Sequence, residues 1–241
     1  MRSRHLYKAF SLTEVLLAVG TLAIGMLFIA GTFMTGIYLT TIAAERSMAA
    51  VAADEAFAKI KLYGINPVDP DLAVNQLTVL QDVTARPIDP NEFAYPSTLV
   101  PFSEKQYYWS ALCRQVDPNS ASRLVQVTVL ASRKAGRATS YRGGAGRPIP
   151  LPVSISGTLG SNVLTIGEPD KITWINDGYT IVDNQTGQIY RVLQRYAAQP
   201  NAIELDRPWQ GGPLGLVWVV PPPIGGGKNP CIAVYQKVMR F

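Results

Sequence analysis

The chain has 241 residues, 47% of them hydrophobic and 16% charged, which excludes an intrinsically disordered polymer and leaves room for one or two cored domains. Two cysteines exclude a disulfide-dense scaffold or a multi-cysteine zinc module, and the only histidine is His5. The formal charge of +5 includes Arg2, Arg4 and Lys8; without them 19 basic residues face 17 acidic ones, a balance of +2, so a global attraction to nucleic acid is not implied.

From Val15 to Ala44 run 30 consecutive residues without a formal charge. About 20 suffice to cross the hydrocarbon core of a bilayer, so length alone predicts a membrane span. The alternative is a buried helix of a soluble protein. Basic residues precede the span, whereas Glu45 and Arg46 cancel after it. That asymmetry predicts a cytoplasmic N-terminus and an exported body. Thr40–Tyr63 holds eight alanines in 24 residues with no proline or glycine, so the helix is expected to continue to Tyr63 and stop at Gly64 and Pro67. Gly20, Gly25, Gly31 and Gly36 punctuate its apolar half, where small residues permit close helix packing or simply reflect membrane composition.

Beyond Gly64, prolines 67, 70, 87, 90, 96 and 101 predict an irregular connection with a short helix over Leu72–Val83. Alternation then begins. Gln106–Val116 would place Tyr107, Trp109, Ala111 and Cys113 on one face, and Leu124–Leu130 would align Val125, Val127 and Val129, with Asp117–Ser120 as the turn between them. Further strands are expected at Val163–Ile166, Ile172–Ile175, Thr180–Val182, Ile189–Leu193, Ile203–Leu205, Leu216–Val220 and Cys231–Val238. Asp183–Gly187 forms a second hairpin turn. The exported body is therefore mostly β.

The entry to the span, Lys8-Ala9-Phe10-Ser11-Leu12-Thr13-Glu14-Val15, joins a short basic leader directly to the apolar run. No small-residue cleavage site follows the run, which sets it apart from a secretory signal peptide. A carboxylate at the lip of a span is costly unless it is paired or remains at headgroup level, so Glu14 is a candidate functional residue.

The segment Phe10-Ser11-Leu12-Thr13-Glu14-Val15-Leu16-Leu17-Ala18-Val19, followed by Leu22-Ala23-Ile24-Gly25-Met26-Leu27, resembles the class III signal and N-terminal helix of type IV pilins and type II secretion pseudopilins, closest to PilV-like minor pilins. The resemblance implies cleavage by a prepilin peptidase between Ala9 and Phe10, with N-methylation of the new amine. It also implies pairing of Glu14 with the amine of a neighbouring Phe10 during assembly. Ala9 stands where the family usually has glycine, and Thr13 where it is more often apolar.

The implied fold is α+β, a long N-terminal helix packed on an antiparallel β-rich head. The divisions are a leader at 1–9, a helix at 10–64 spanning the membrane at about 15–40, a pilin-like β domain at 65–149, an added β-subdomain at 150–220 and a C-terminal strand at 221–241. The implied partners are other pilin-like subunits, the prepilin peptidase and the inner-membrane assembly platform. The implied location is the bacterial inner membrane, single-pass with the head outside, then an envelope filament whose growth or tip the subunit would modify.

Catalytic chemistry finds little support. A processed chain would hold no histidine for a triad or metal ligand. A phosphate loop ending at Gly227-Lys228 would need glycine at Pro222 and a hydroxyl at Asn229. Asp69, Asp71 and Asn75 begin like a calcium loop, but its glycine and terminal acid are absent. No enzyme, metal or cofactor is assigned.

Cys113 and Cys231 would lie outside the cytoplasm, where a bridge contributes on the order of 4–5 kcal/mol by the entropy model; two separate thiols are the alternative. Arg133, Lys134, Arg137 and Arg142 lie in a Gly-, Ser- and Pro-rich stretch, 131–152, expected to be a long flexible loop. Such a loop suggests contact with DNA or an anionic polysaccharide, with Tyr141 as a stacking surface; a solvated connection is the simpler reading. Two rival functions follow: a ligand-binding adhesin or DNA-uptake head using this loop, and an uncut signal-anchored envelope β-domain.

Overall fold

The computed structural model describes residues 11–63, 81–82, 90–96, 105–116, 124–135, 139–144 and 146–241. The chain divides into two compact units, Met1–Glu45 and Arg46–Phe241. Helix α1 (Leu12–Tyr63) begins in the first and ends in the second. The architecture is α+β, a long apolar N-terminal helix with antiparallel sheets, one of them a closed six-stranded barrel.

In the first unit α1 is apolar all round, and every described side chain from Ser11 to Thr41 is exposed. It is the one helix among the described residues long and apolar enough to cross a membrane. Five of its six threonines, Thr21, Thr32, Thr35, Thr40 and Thr41, each donate to a carbonyl three or four residues back, such as Thr41 to Ile37 O at 2.8 Å, and the Thr13 hydroxyl bonds that of Ser11 at 2.9 Å. The back-bonded hydroxyls thus need no water, which is the condition for placing them in hydrocarbon.

The second unit begins with the alanine-rich end of α1. Ala49, Ala52, Ala53, Ala56, Phe57 and Ile60 recur at three- and four-residue intervals and are buried. They pack in part against one face of a sheet built from β1 (Gln81–Asp82), β2 (Ala94–Tyr95), β3 (Tyr107–Gln115), β4 (Leu124–Arg133) and β11 (Cys231–Arg240). The order is β1-β3-β4-β11, with β2 also paired to β3. Trp109, Ala111 and Cys113 of β3 and Val125, Val127 and Val129 of β4 form that face. The alternation legible in the sequence thus points at the helix. Lys59 fastens the 3-10 turn Pro90–Phe93 to α1 through Glu55 Oε1 (2.6 Å) and Glu92 Oε2 (2.8 Å). Burial alone would lower the Lys59 ammonium, but the two carboxylates outweigh it and hold its pKa above its ordinary value.

The opposite face of the sheet is also buried. Leu112 and Leu130 pack with Val182 and Val220 from the barrel side. The barrel closes in the order β10-β5-β6-β9-β8-β7, from β5 (Leu151–Gly157), β6 (Val163–Ile166), β7 (Thr180–Asp183), β8 (Ile189–Arg195), β9 (Ala202–Leu205) and β10 (Leu214–Val219). Its interior is filled by side chains, including Tyr190 and Trp209 with ring centroids 5.1 Å apart.

Three expectations change. Ile172–Ile175 is not a strand: Pro169–Trp174 is a 3-10 segment, begun by a proline whose fixed φ suits a first helical position, and only Ile175 is extended. No strand was expected over 151–157, where β5 runs; its first two residues close the stretch 131–152 read as a loop. Pro152 is tolerated because β6 pairs only Ile155–Gly157, and the Pro152 carbonyl instead accepts from Lys171 Nζ at 3.2 Å. Within Leu72–Val83, Gln81–Asp82 is a strand paired with β3, and the remainder lies outside the described residues.

The β7–β8 hairpin tip docks on the sheet. Arg114 Nη1 donates to Gln185 O at 2.8 Å, and the Gly187 carbonyl accepts from Gln126 and Gln236. Gly187 has φ +69°, and a Cβ there would lie 2.9 Å from Gln126 Nε2 and 3.0 Å from Arg114 Nε. Gly187→Ala is expected to cost about 1–3 kcal/mol in chemical denaturation. Gly160→Ala, at φ +81° with no atom within 4 Å of the new methyl, should cost less.

Candidate functional site

The first turn of α1 is locally well made. Ser11 stands at the N-cap, its Oγ accepting from the Glu14 N–H at 3.2 Å, while its carbonyl accepts from the N–H groups of Glu14 (3.1 Å) and Val15 (3.2 Å). Glu14 therefore occupies the third helical position, where the exposed N–H groups and the helix dipole favour an anion. Its carboxylate is exposed and has no charged partner among the described residues. Ala9 and Phe10, the expected processing pair, lie outside those residues. From this turn onward the surface is apolar: Leu16, Leu17, Leu27, Phe28, Ile29 and Phe33 are each more than 60% exposed. The geometry supplies one carboxylate at the head of an apolar surface that its own unit leaves bare.

Cys113 and Cys231 are not bridged to each other. Cys113 sits in the helix-facing cluster, opposite Val127 on β4. Cys231 packs on the other face of the sheet and pairs with Ser132. Five positions of β4 separate those partners, about 17 Å at strand rise, and the sheet lies between the two sulfurs. Burial pushes the Cys231 thiol up to about 12, which makes it a poor nucleophile.

The stretch expected as a long basic loop is mostly anchored. β4 runs to Arg133 and β5 begins at Leu151. Tyr141 is no stacking surface: it is buried and its hydroxyl accepts from the Ala135 N–H at 2.6 Å. Arg147 is buried too, donating to Trp109 O (3.0 Å) and Ser110 Oγ (2.9 Å) and lying 4.3 Å over the Phe93 ring. Arg142 donates to Pro222 O at 2.9 Å and rests 5.4 Å from the Trp174 ring. Arg133 and Lys134 are half-buried at the end of β4, and Arg137 lies outside the described residues. These cations do not form one free basic arm. The pattern Asp69, Asp71 and Asn75 likewise lies outside the described residues.

Immediately before the 3-10 segment Pro169–Trp174 sits an acid with a strongly altered titration. Glu168 pairs with Lys171 and accepts from Ser154 Oγ (2.5 Å) and Ser154 N–H (2.9 Å), and these contacts hold its pKa near 2 against an ordinary 4.5. A depressed carboxyl pKa stabilises the fold above about pH 4.5, and that contribution is lost as pH falls through about 2. Thermal denaturation should show the wild type losing more stability than Glu168→Gln between about pH 5 and pH 2. An equal loss would mean that Glu168 is not the responsible acid.

No family model matches the chain, and no curated protein matches it.

Proposed function

We propose that this chain is a minor pilin or pseudopilin subunit: an exported β-head carried on a membrane helix, processed by a prepilin peptidase and assembled into an envelope filament. The supporting observation is the head of α1, where the Glu14 carboxylate, without a charged partner among the described residues, stands before a run of exposed apolar side chains. In lipid that surface is covered by acyl chains, and in a filament by neighbouring helices. A positively charged amine from an adjacent subunit offsets the cost of moving the carboxylate into such a bundle and fixes the axial register. On this reading Phe10 supplies the amine, Glu14 the partner charge, and the residues beyond them the packing surface. The assembly platform at the inner membrane is the place of transfer, and the subunit acts in filament initiation or at its tip.

The test is assembly, measured apart from insertion. Glu14→Ala is expected to enter the membrane at wild-type abundance. It should lose about tenfold or more of the cross-links formed to other subunits by a photo-reactive residue at Leu27, since an unpaired buried amine costs several kcal/mol. Wild-type cross-linking in the variant would remove Glu14 from the mechanism. Cross-links to lipid alone in the parent would favour a simple membrane anchor.

A further inference from the structure

Three loops of the second unit meet around a cleft of about 580 Å³: the turn after the 3-10 segment, the connection following β8, and the glycine run before β11. The volume falls within the range of about 300–1,000 Å³ typical of small-molecule sites. Two cations reach it from different loops. Arg195 is set in place by its backbone N–H, which donates to Asp177 Oδ1 at 2.7 Å, and by Nη1, which donates to Ile172 O at 3.2 Å. Its remaining guanidinium N–H groups are unclaimed among the described residues. Lys228 is exposed and its ammonium has no partner there. Gly225, Gly226 and Gly227 lead to it with φ of +93°, +92° and +141°, a path that glycine alone follows without strain.

The remaining polar groups are half-used. Asn176 Nδ2 donates to Thr173 O at 3.1 Å, which leaves its amide oxygen as an acceptor. Asn229 Oδ1 accepts from the Cys231 N–H at 2.9 Å, which leaves its NH₂ as a donor. Asp177 is the one carboxylate in the lining. Tyr196 lines the cleft with its hydroxyl fixed on Glu204 Oε2 at 3.1 Å, so its ring is held as a wall. A ligand matching this set carries a negative charge, several hydroxyls and a flat ring face.

We propose that the cleft binds a carboxylated sugar unit of an acidic polysaccharide. The sugar carboxylate lies between Arg195 and Lys228, its hydroxyls bond to Asp177, Asn176 and Asn229, and its ring rests on Tyr196. A nucleic-acid strand fits less well, because tracking a phosphate backbone takes a row of cations and this lining has two. The site is independent of how α1 is assembled.

The test uses the full chain in detergent micelles, titrated calorimetrically with tetrasaccharides of hyaluronan and of polygalacturonate. A neutral chitin tetrasaccharide and inorganic phosphate are the comparisons. Saturable binding of at least one uronate ligand is expected, with neither comparison binding comparably. Arg195→Gln and Lys228→Gln should each weaken it about tenfold, as expected for losing a charged hydrogen bond. Lys228 is exposed and makes no hydrogen bond or ion pair among the described residues, so its variant stays informative if Arg195→Gln misfolds. The proposal is overturned by no binding of either uronate up to about 10 mM. It is equally overturned by equal binding of the neutral sugar, by equal binding of phosphate, or by undiminished binding in Lys228→Gln.

Discussion

Apolar helix surface is stable only where something other than water covers it, and α1 meets that requirement in two different ways. From Ala53 to Ile60 the cover is internal, supplied by Trp109, Ala111, Cys113 and the valines of β4. From Leu12 to Leu39 the described residues supply none. A leucine or phenylalanine left in water forgoes about 1.5–3 kcal/mol, and more than a dozen large apolar side chains are involved. The first part of the helix therefore calls for a cover that the described residues do not supply. Lipid and neighbouring helices are the two covers that suit a surface apolar all round.

The composition of each part follows from its cover. Alanine dominates where a sheet must come close, because its short side chain brings the helix backbone near the strands. Leucine, isoleucine and phenylalanine dominate where acyl chains or other helices fill the space. Beyond the first turn, the threonines of the bare part turn their hydroxyls back onto the helix, so those donors need no water. Glu14 is the exception, and its position in the first turn gives it the helix dipole and a cap rather than a counter-charge. On the proposed reading, that residual need for a partner connects the chemistry of the helix end to assembly.

The sequence conveyed whatever had a period or a length. The uninterrupted apolar run predicted α1, and Val125, Val127 and Val129 predicted the inner face of β4, because two-residue alternation survives whatever lies on the other side. Elements governed by their partners were less legible. The prolines around β5 hid a strand that pairs fully with β10 and only partly with β6. The β-branched Ile172, Thr173 and Ile175 suggested a strand where Pro169 starts a 3-10 turn. Arg147 falls inside 131–152, the stretch expected to be a flexible loop, and is instead a buried tie between Phe93 and the β3 backbone. The cleft at Arg195 and Lys228 draws on loops more than 30 positions apart in the chain, so no local motif marks it.

The central claim is that the mature chain begins at a processed, methylated Phe10 and that α1 serves as an assembly element. The most direct measurement is the N-terminal mass of membrane-extracted protein from cells with and without the prepilin peptidase. The account predicts a peptide beginning at N-methylated Phe10, lost when the peptidase is absent. A chain retaining residues before Phe10 in both samples would contradict it and leave a membrane-anchored β-head.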